Sequence, residues 1–316
     1  MKQTFKSYQA ALLAALFFGC IAPGTKFLSL SIPPQTLAGA LYFGAGFGLF
    51  IILCLKNQFR NSLKEFQRKD QKWLLAATLF GGILGPVFLT YGMLRISGST
   101  GSLLLNLESV LTSLIAWFIF KEHFDKKIVA GIIFIISGCL VLSVNAKVSH
   151  GQDTILGFIF ISLACLFWSL DNNATRNISH LNPLFTAAIK GLIAGLSNLF
   201  LGWMIGEQLN LNWPLIGAGV LGFLGIGVSL VAFIFSLRKI GTARTGAVFS
   251  VAPFFGSILA ILILKEPVSL TFLVALFLMG MGVWCHLSED HSHEHKHVEL
   301  VHSHEHVHDD HHQHTH

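Results

Sequence analysis

Glu108, Asp171 and Lys190 are charged residues set inside long apolar runs of this 316-residue chain, with Asn106, Asn172, Asn173 and Asn198 close by in sequence. Ionisable groups are expensive to bury unless paired. Each is therefore a candidate for carrying a proton or holding a polar solute. Asp171 and Lys190 lie at matching depth, each seven residues from the same end of its apolar segment, or about 10 Å along a helix. Opposite charges at equal depth on consecutive segments suggest an ion pair. Two readings stay open: a scaffold salt bridge, or a pair that gates or orients a substrate, with a solute carboxylate competing for Lys190. Glu108 has no charged partner at its depth. Desolvation disfavours a lone carboxylate, a setting that suits a proton carrier; the alternative is a neutral acid held by Asn106 or a backbone group.

A second chemistry sits at the C-terminus. Twelve of the sixteen histidines follow residue 290: His291, His293, His295, His297, His302, His304, His306, His308, His311, His312, His314 and His316. Glu294, Glu299, Glu305, Asp309 and Asp310 intervene. Imidazole suits nickel, cobalt and zinc, and an alternating His run lets a chain wrap several ligands around one ion. No cofactor is otherwise required. His293-Glu294-x-x-His297 and His304-Glu305-x-x-His308 copy the zinc-protease pattern. That chemistry needs a buried helix, a third ligand and a shaped cavity. In a 26-residue tail this rich in His and Glu the pattern arises from composition. The chain is not read as an enzyme.

The elements that position these groups follow from composition. Hydrophobic residues make up 53% of the chain and charged residues 12%, about half the charged share of a soluble domain, and mean hydropathy is +0.65. So apolar a surface belongs in lipid. A span needs roughly 20 apolar residues, and ten fit: 8–29, 34–55, 73–94, 98–120, 127–146, 154–178, 183–205, 214–237, 242–264 and 268–287. Runs such as Ile128–Val144 lack the alternation of a membrane β-barrel. Cys20, Cys54, Cys139, Cys165 and Cys285 lie in or at the end of apolar runs and imply no disulfide framework. Lys2 and Lys6 before Ala10–Ile21 resemble a signal peptide, but the same pattern recurs deep in the chain, which argues against cleavage.

That recurrence is a repeat. At an offset of 150, Thr25, Ser29, Pro33 and Thr36 fall on Thr175, Ser179, Pro183 and Thr186. At 144, Ile96, Ser113, Lys121 and Glu122 fall on Ile240, Ser257, Lys265 and Glu266. With the N-terminus inside, cytoplasmic segments hold fifteen basic residues and external ones four, Lys26, Arg95, Lys147 and Lys265. Five spans per half is odd, so the halves enter the membrane from opposite sides, as in transporters that alternate access. The expected fold is all-α: a multi-pass protein of the cell (inner, cytoplasmic) membrane with ten transmembrane helices. It divides into two inverted five-helix repeats, 1–148 and 149–288, and a disordered His-rich cytoplasmic tail, 289–316. Both termini are cytoplasmic. Glu108 and the Asp171–Lys190 pair have no charged counterparts across the repeat. Basic loops face anionic lipid rather than nucleic acid. Glycines spaced by four, Gly44/Gly48, Gly81/Gly85 and Gly191/Gly195, permit close helix packing and leave room for a homodimer. Pro23, Pro86 and Pro253 are expected to kink helices near a cavity. The sequons at Asn173 and Asn177 lie at or inside the membrane and are discounted.

The segment Asn106-Leu107-Glu108-Ser109, the following Lys121-Glu122, and their counterparts Val251-Ala252-Pro253 and Lys265-Glu266 resemble the EamA-type drug/metabolite transporters over the chain up to residue 288. The family often has proline where Ser109 stands, so the resemblance implies a kink lost from the first half and kept at Pro253. It also implies a secondary transporter of small solutes, amino acid-like or other organic metabolites, commonly by export. A different reading makes the chain a nickel, cobalt or zinc transporter whose tail collects or senses the ion. A third class, a non-transporting sensor or membrane enzyme, sits poorly with inverted symmetry.

Overall fold

A computed structural model describes residues 2–120, 126–148, 153–240 and 242–288; the His-rich tail and Glu122 lie outside the described residues. Among the described residues the chain is helical, with no strand. Nine helices among the described residues are long and apolar enough to cross a membrane. They are α1 (Lys6–Leu28), α2 (Pro34–Leu55), α3 (Arg68–Met93), α4 (Gly98–Ile119), α5 (Lys126–Ser143), α6 (Ile155–Arg176), α7 (Pro183–Met204), α8 (Trp213–Ile240) and α10 (Leu270–Leu287). Between the last two, α9 runs as Thr242–Phe249 and then Ala252–Leu264. A 22-residue helix is about 33 Å long, enough for a hydrocarbon core of roughly 30 Å. Outward-facing residues such as Phe118, Ile133, Phe200, Leu262 and Phe277 are apolar and exposed, a surface for acyl chains.

Short connections make successive helices antiparallel, so the bundle has two ends. The near end carries Lys6; the far end carries the α1–α2, α3–α4, α5–α6, α7–α8 and α9–α10 connections. Helix starts are locally encoded. Thr154, Asn182, Asn212 and Ser269 accept from the backbone N–H of Gly157, Leu184, Leu215 and Phe272. Pro34 and Pro183 occupy first-turn positions, where a missing N–H is harmless.

Helix α2 packs along α7, α5 along α10 and α4 along α9; α1 lies against α8 and α9, α6 against α3 and α4, and α2 and α7 also touch α8 and α3 respectively. Glycine permits close crossings: a methyl on Gly46 would overlap the backbone of Gly191 and Leu192, and one on Gly222 the backbone of Leu41.

Several of the helical paths are interrupted, α1 at Cys20 among them. Helices α3 and α8 contain widened π-helical turns at Thr78–Leu84 and Phe223–Val228. In α3 the cause is legible. Pro86 has no N–H to give the carbonyl of Gly82, four residues back, and Asn198 Nδ2 donates to that carbonyl instead, at 3.2 Å. Helix α4 breaks at Leu105–Asn106 without a proline, which corrects the expectation that Ser109 restores a straight first-half helix. Asn106 Nδ2 donates to Leu103 O at 2.9 Å and Ser109 Oγ to Asn106 O at 2.8 Å, so side chains satisfy the carbonyls that the break exposes. Pro253 lies just past the corresponding interruption of α9.

Candidate functional site

Helix α6 carries its polar residues on two adjoining faces. Ser169, Asn172 and Asn173 look toward α4: Ser169 Oγ donates to Glu108 O at 2.9 Å, and Asn172 Nδ2 to Glu108 Oε1 at 2.8 Å. Asn173 Nδ2 donates to Ser169 O at 2.8 Å and reaches Thr112 O at 3.5 Å. The spacing of three and four residues is that of one helical stripe. Trp168, Asp171 and Thr175 form the second stripe, toward α2, α3 and α7. Trp168 Nε1 donates to Gly81 O at 3.1 Å and lies 3.3 Å from the Tyr42 hydroxyl. Asp171 accepts from Lys190 Nζ and, at 2.9 Å, from Thr175 Oγ1. The π-turn of α3 is therefore held twice from outside, at Gly81 by Trp168 and at Gly82 by Asn198.

These groups border two cavities. The larger, of about 620 Å³, runs from Glu108 to His286 and Leu287 at the near end. One wall is polar, with Asn106, Glu108, Ser109, Thr112, Asn172 and Lys190; the other is aromatic and aliphatic, with Phe18, Phe233, Phe249, Ile226 and Leu230. The Phe249 ring centroid lies 5.3 Å from that of Phe18, tilted, and 5.0 Å from that of Phe233, edge to face. The smaller cavity, about 140 Å³, lies beyond Glu108, among Leu41, Tyr42, Pro86, Leu89, Trp168 and Asp171. Phe18, Glu108, Asn172 and Ile226 line both. Glu108 is ten residues from the start of α4, about 15 Å along the helix, so the divide lies at mid-depth. Such a cavity can hold a small solute with a polar head and an apolar body, and present a carboxylate to it.

Sequence comparison identifies the scaffold. Residues 5–144 and 155–288 each match the EamA-like transporter family. The chain belongs to that family. An uncharacterised transporter of Methanothermobacter thermautotrophicus is 29% identical over 277 residues, covering 83% of this chain and 80% of that protein. The Bacillus subtilis uncharacterised transporter YetK is 23% identical, covering 84% and 82%. A crystal structure with 16% identity superposes with a TM-score of 0.65 over 89% of this chain and 96% of the other, a likeness of fold. This EamA-like protein is thus a multi-pass membrane transporter.

The family member brings most of the residues singled out in its sequence to one place. Glu108, Asn106, Asn172 and Lys190 line the larger cavity and Asp171 the smaller. Asn173 ties α6 to α4, and lines neither cavity. Asn198 is fully buried between Gly82 O and Gln35, whose Nε2 donates to it at 3.0 Å. Glu108 has a partner after all: the amide of Asn172, a neutral residue that a search for matching charges passes over. The Trp168–Tyr42 contact and the phenylalanine wall carry no charge or motif and were not legible; alternating aromatic and small residues along α1, α8 and α9 are ordinary core pattern.

Three carboxylates at the far end of the EamA-like fold form a further group, for which the sequence carries no motif. Glu207, after α7, accepts from Gln35 N at 3.2 Å, Thr36 N at 2.7 Å and Thr36 Oγ1 at 2.8 Å. Glu266, after α9, accepts from Gly98 N at 2.6 Å and Ser99 N at 2.8 Å. Asp153, before α6, accepts from Ser97 N at 2.5 Å and Thr100 Oγ1 at 2.9 Å. Among the described residues the near end is tied by Asn182 Nδ2 to Gln58 Oε1 at 3.2 Å, by His180 beside Asp70 at 3.5 Å, by Ser236 Oγ to Ser7 O at 2.6 Å and by Lys127 Nζ to Ser288 O at 2.5 Å.

Proposed function

We propose that this protein is a secondary transporter that moves a small organic solute, amino acid-like or similarly amphipathic, by alternating access, and that it exports. The observation that carries this reading is a cavity open toward one end, ending at mid-depth on Glu108 and Asn172, with the other end closed by interhelical caps. Ten spans in two inverted halves follow from the same reading. In its favour, exchanging α1–α5 for α6–α10 turns each principal helix contact into another: α1 on α8 becomes α6 on α3, α2 on α8 becomes α7 on α3, and α6 on α4 becomes α1 on α9. The π-turns of α3 and α8 and the breaks of α4 and α9 pair off likewise. The family matches twice, once per half. The excess of basic residues at the near end supports a cytoplasmic placement of that end; on this reading the cavity is open inward and loads from the cell.

Glu108 is the group we assign to proton coupling, and Lys190–Asp171 the pair that spans the divide between the cavities. Purified protein in liposomes tests the reading: preloaded vesicles should release a subset of amino acid-like solutes faster under an imposed pH difference, and Glu108→Gln should remove the pH dependence. A correctly inserted, folded protein that moves no solute of this class would overturn it.

A further inference from the structure

We propose that Glu207, Glu266 and Asp153 are the external gate of this transporter: their caps hold the far end shut in the inward-open state and break when the cavity opens outward. The inference rests on the alternating-access reading and adds to it the residues that do the closing.

Several observations separate these contacts from permanent staples. The carboxylates all come from the second half of the chain and the groups that donate to them all from the first. They meet across the seam that must part if the 140 Å³ chamber is to reach the far end. The two helix starts they serve lack caps of their own. Pro33 precedes α2 and Ser97 precedes α4, and neither makes a side-chain cap bond to the helix it starts. By contrast α6, α7, α8 and α10 are capped by their own first residues. A helix start leaves N–H groups unsatisfied by the helix itself. Those of α2 and α4 are satisfied in trans, by groups that leave when the halves separate, and water at an exposed end can replace them. A carboxylate on a helix start is favoured by the dipole and by charge-assisted hydrogen bonds, so the closed arrangement is a definite state rather than a loose contact.

The glutamates are also placed by backbone rather than by chance. Glu207 follows Gly206 at φ 84° and Glu266 follows Lys265 at φ 54°. Each preceding helix thus ends in a left-handed residue that turns the next side chain back over the bundle. Lysine rarely adopts that conformation, which makes its occurrence beside Glu266 a sign of a constrained junction. Lys26, whose Nζ donates to Met93 O at 2.8 Å, lies within electrostatic reach of Glu266 and Asp153 and completes the charged cluster.

The test uses full-length protein in cell membranes, with its five cysteines replaced by serine. A cysteine introduced by Leu89→Cys reports on the inner chamber, and one introduced by Ser113→Cys on the near-end cavity. Glu207→Gln together with Glu266→Gln should raise labelling of Leu89→Cys by an impermeant maleimide added outside, several-fold over the parent. Linking Thr36→Cys to Glu207→Cys with a short bis-thiosulfonate reagent should cancel the rise caused by Glu266→Gln alone, which a misfolded protein would not show. Unchanged external labelling, with Ser113→Cys still labelled from the cytoplasmic side, overturns the gate and leaves the transport reading standing. Loss of labelling at both positions from both sides overturns the transport reading as well.

Discussion

The two ends of the bundle share a backbone motif and differ in the side chain it delivers. At the near end α2 stops in Asn57, φ 53°, and Gln58 follows; at the far end α7 stops in Gly206, φ 84°, and Glu207 follows. Asn57 N bonds Cys54 O at 2.9 Å and Gln58 N bonds Leu53 O at 3.1 Å; Gly206 N bonds Trp203 O at 3.1 Å and Glu207 N bonds Gly202 O at 2.9 Å. These are the same two bonds of a left-handed helix stop. From the same position, Glu207 accepts three hydrogen bonds at a helix start that has no cap of its own, whereas Gln58 accepts one, from the residue that already caps α7. On the alternating-access reading, one difference between the two ends therefore lies in acceptor charge and in whose helix start is left for the other half to satisfy. A hydrogen bond to a charged group contributes roughly 1.5–3 kcal/mol against about 1 for a neutral one, enough to bias which end is shut.

The largest expected effect comes from the group that joins the two compartments. Lys190 lines the cavity open to the near end, and its partner Asp171 lines the chamber on the far side of Glu108. Lys190→Ala leaves Asp171 buried without its cation, and breaking one side of such a pair costs about 3–5 kcal/mol. Loss of transport and a lowered melting temperature are expected, with Asp171→Ala in the same chain recovering stability but not transport. Transport by Lys190→Ala equal to the parent would break the assignment. Gly81→Ala should come next. A methyl there overlaps the Asp171 carboxylate, and crowding of a packed site costs about 1–3 kcal/mol; the Lys190–Asp171 pair should be displaced and transport reduced more than stability. Glu207→Gln alone ranks third. It keeps the shape and removes the charge, so destabilisation of about 1 kcal/mol is expected, with amide exchange over residues 35–37 faster than in the parent.

Much of this arrangement can be read before any coordinates, for physical reasons that also mark where reading stops. Apolar length reveals α1–α8 and α10, and equal depth on consecutive helices points to Asp171 and Lys190 as partners. Matching opposite charges works because only two long helices carry them at that level. Asn172 stays hidden as the partner of Glu108 because an amide carries no charge to match. The break of α4 is concealed because Asn106 and Ser109 do the work that proline does elsewhere. The far-end carboxylates meet N–H groups 167–172 residues away for the glutamates. They sit in short polar connections where an acid is ordinary, so nothing local distinguishes them.

The smallest prediction reverses the comparison. Gln58→Glu gives the near end the acceptor that the far end has. The new carboxylate would keep the bond from Asn182 Nδ2 and face Lys56, Arg238 and Lys239, which line the same cleft of about 770 Å³ between α2, α7 and α8. The site is partly exposed, so the attraction is screened and amounts to a few tenths of a kcal/mol. The α7 start already has its own cap, so no unsatisfied N–H awaits the charge. Cytoplasmic labelling of Ser113→Cys should fall, but by less than a factor of two, and the fall should vanish when Lys56, Arg238 and Lys239 are neutralised together. A decrease as large as the increase produced at the far end by Glu207→Gln with Glu266→Gln would mean that acceptor charge alone sets which end is closed. No decrease would place the whole difference in the missing caps of α2 and α4.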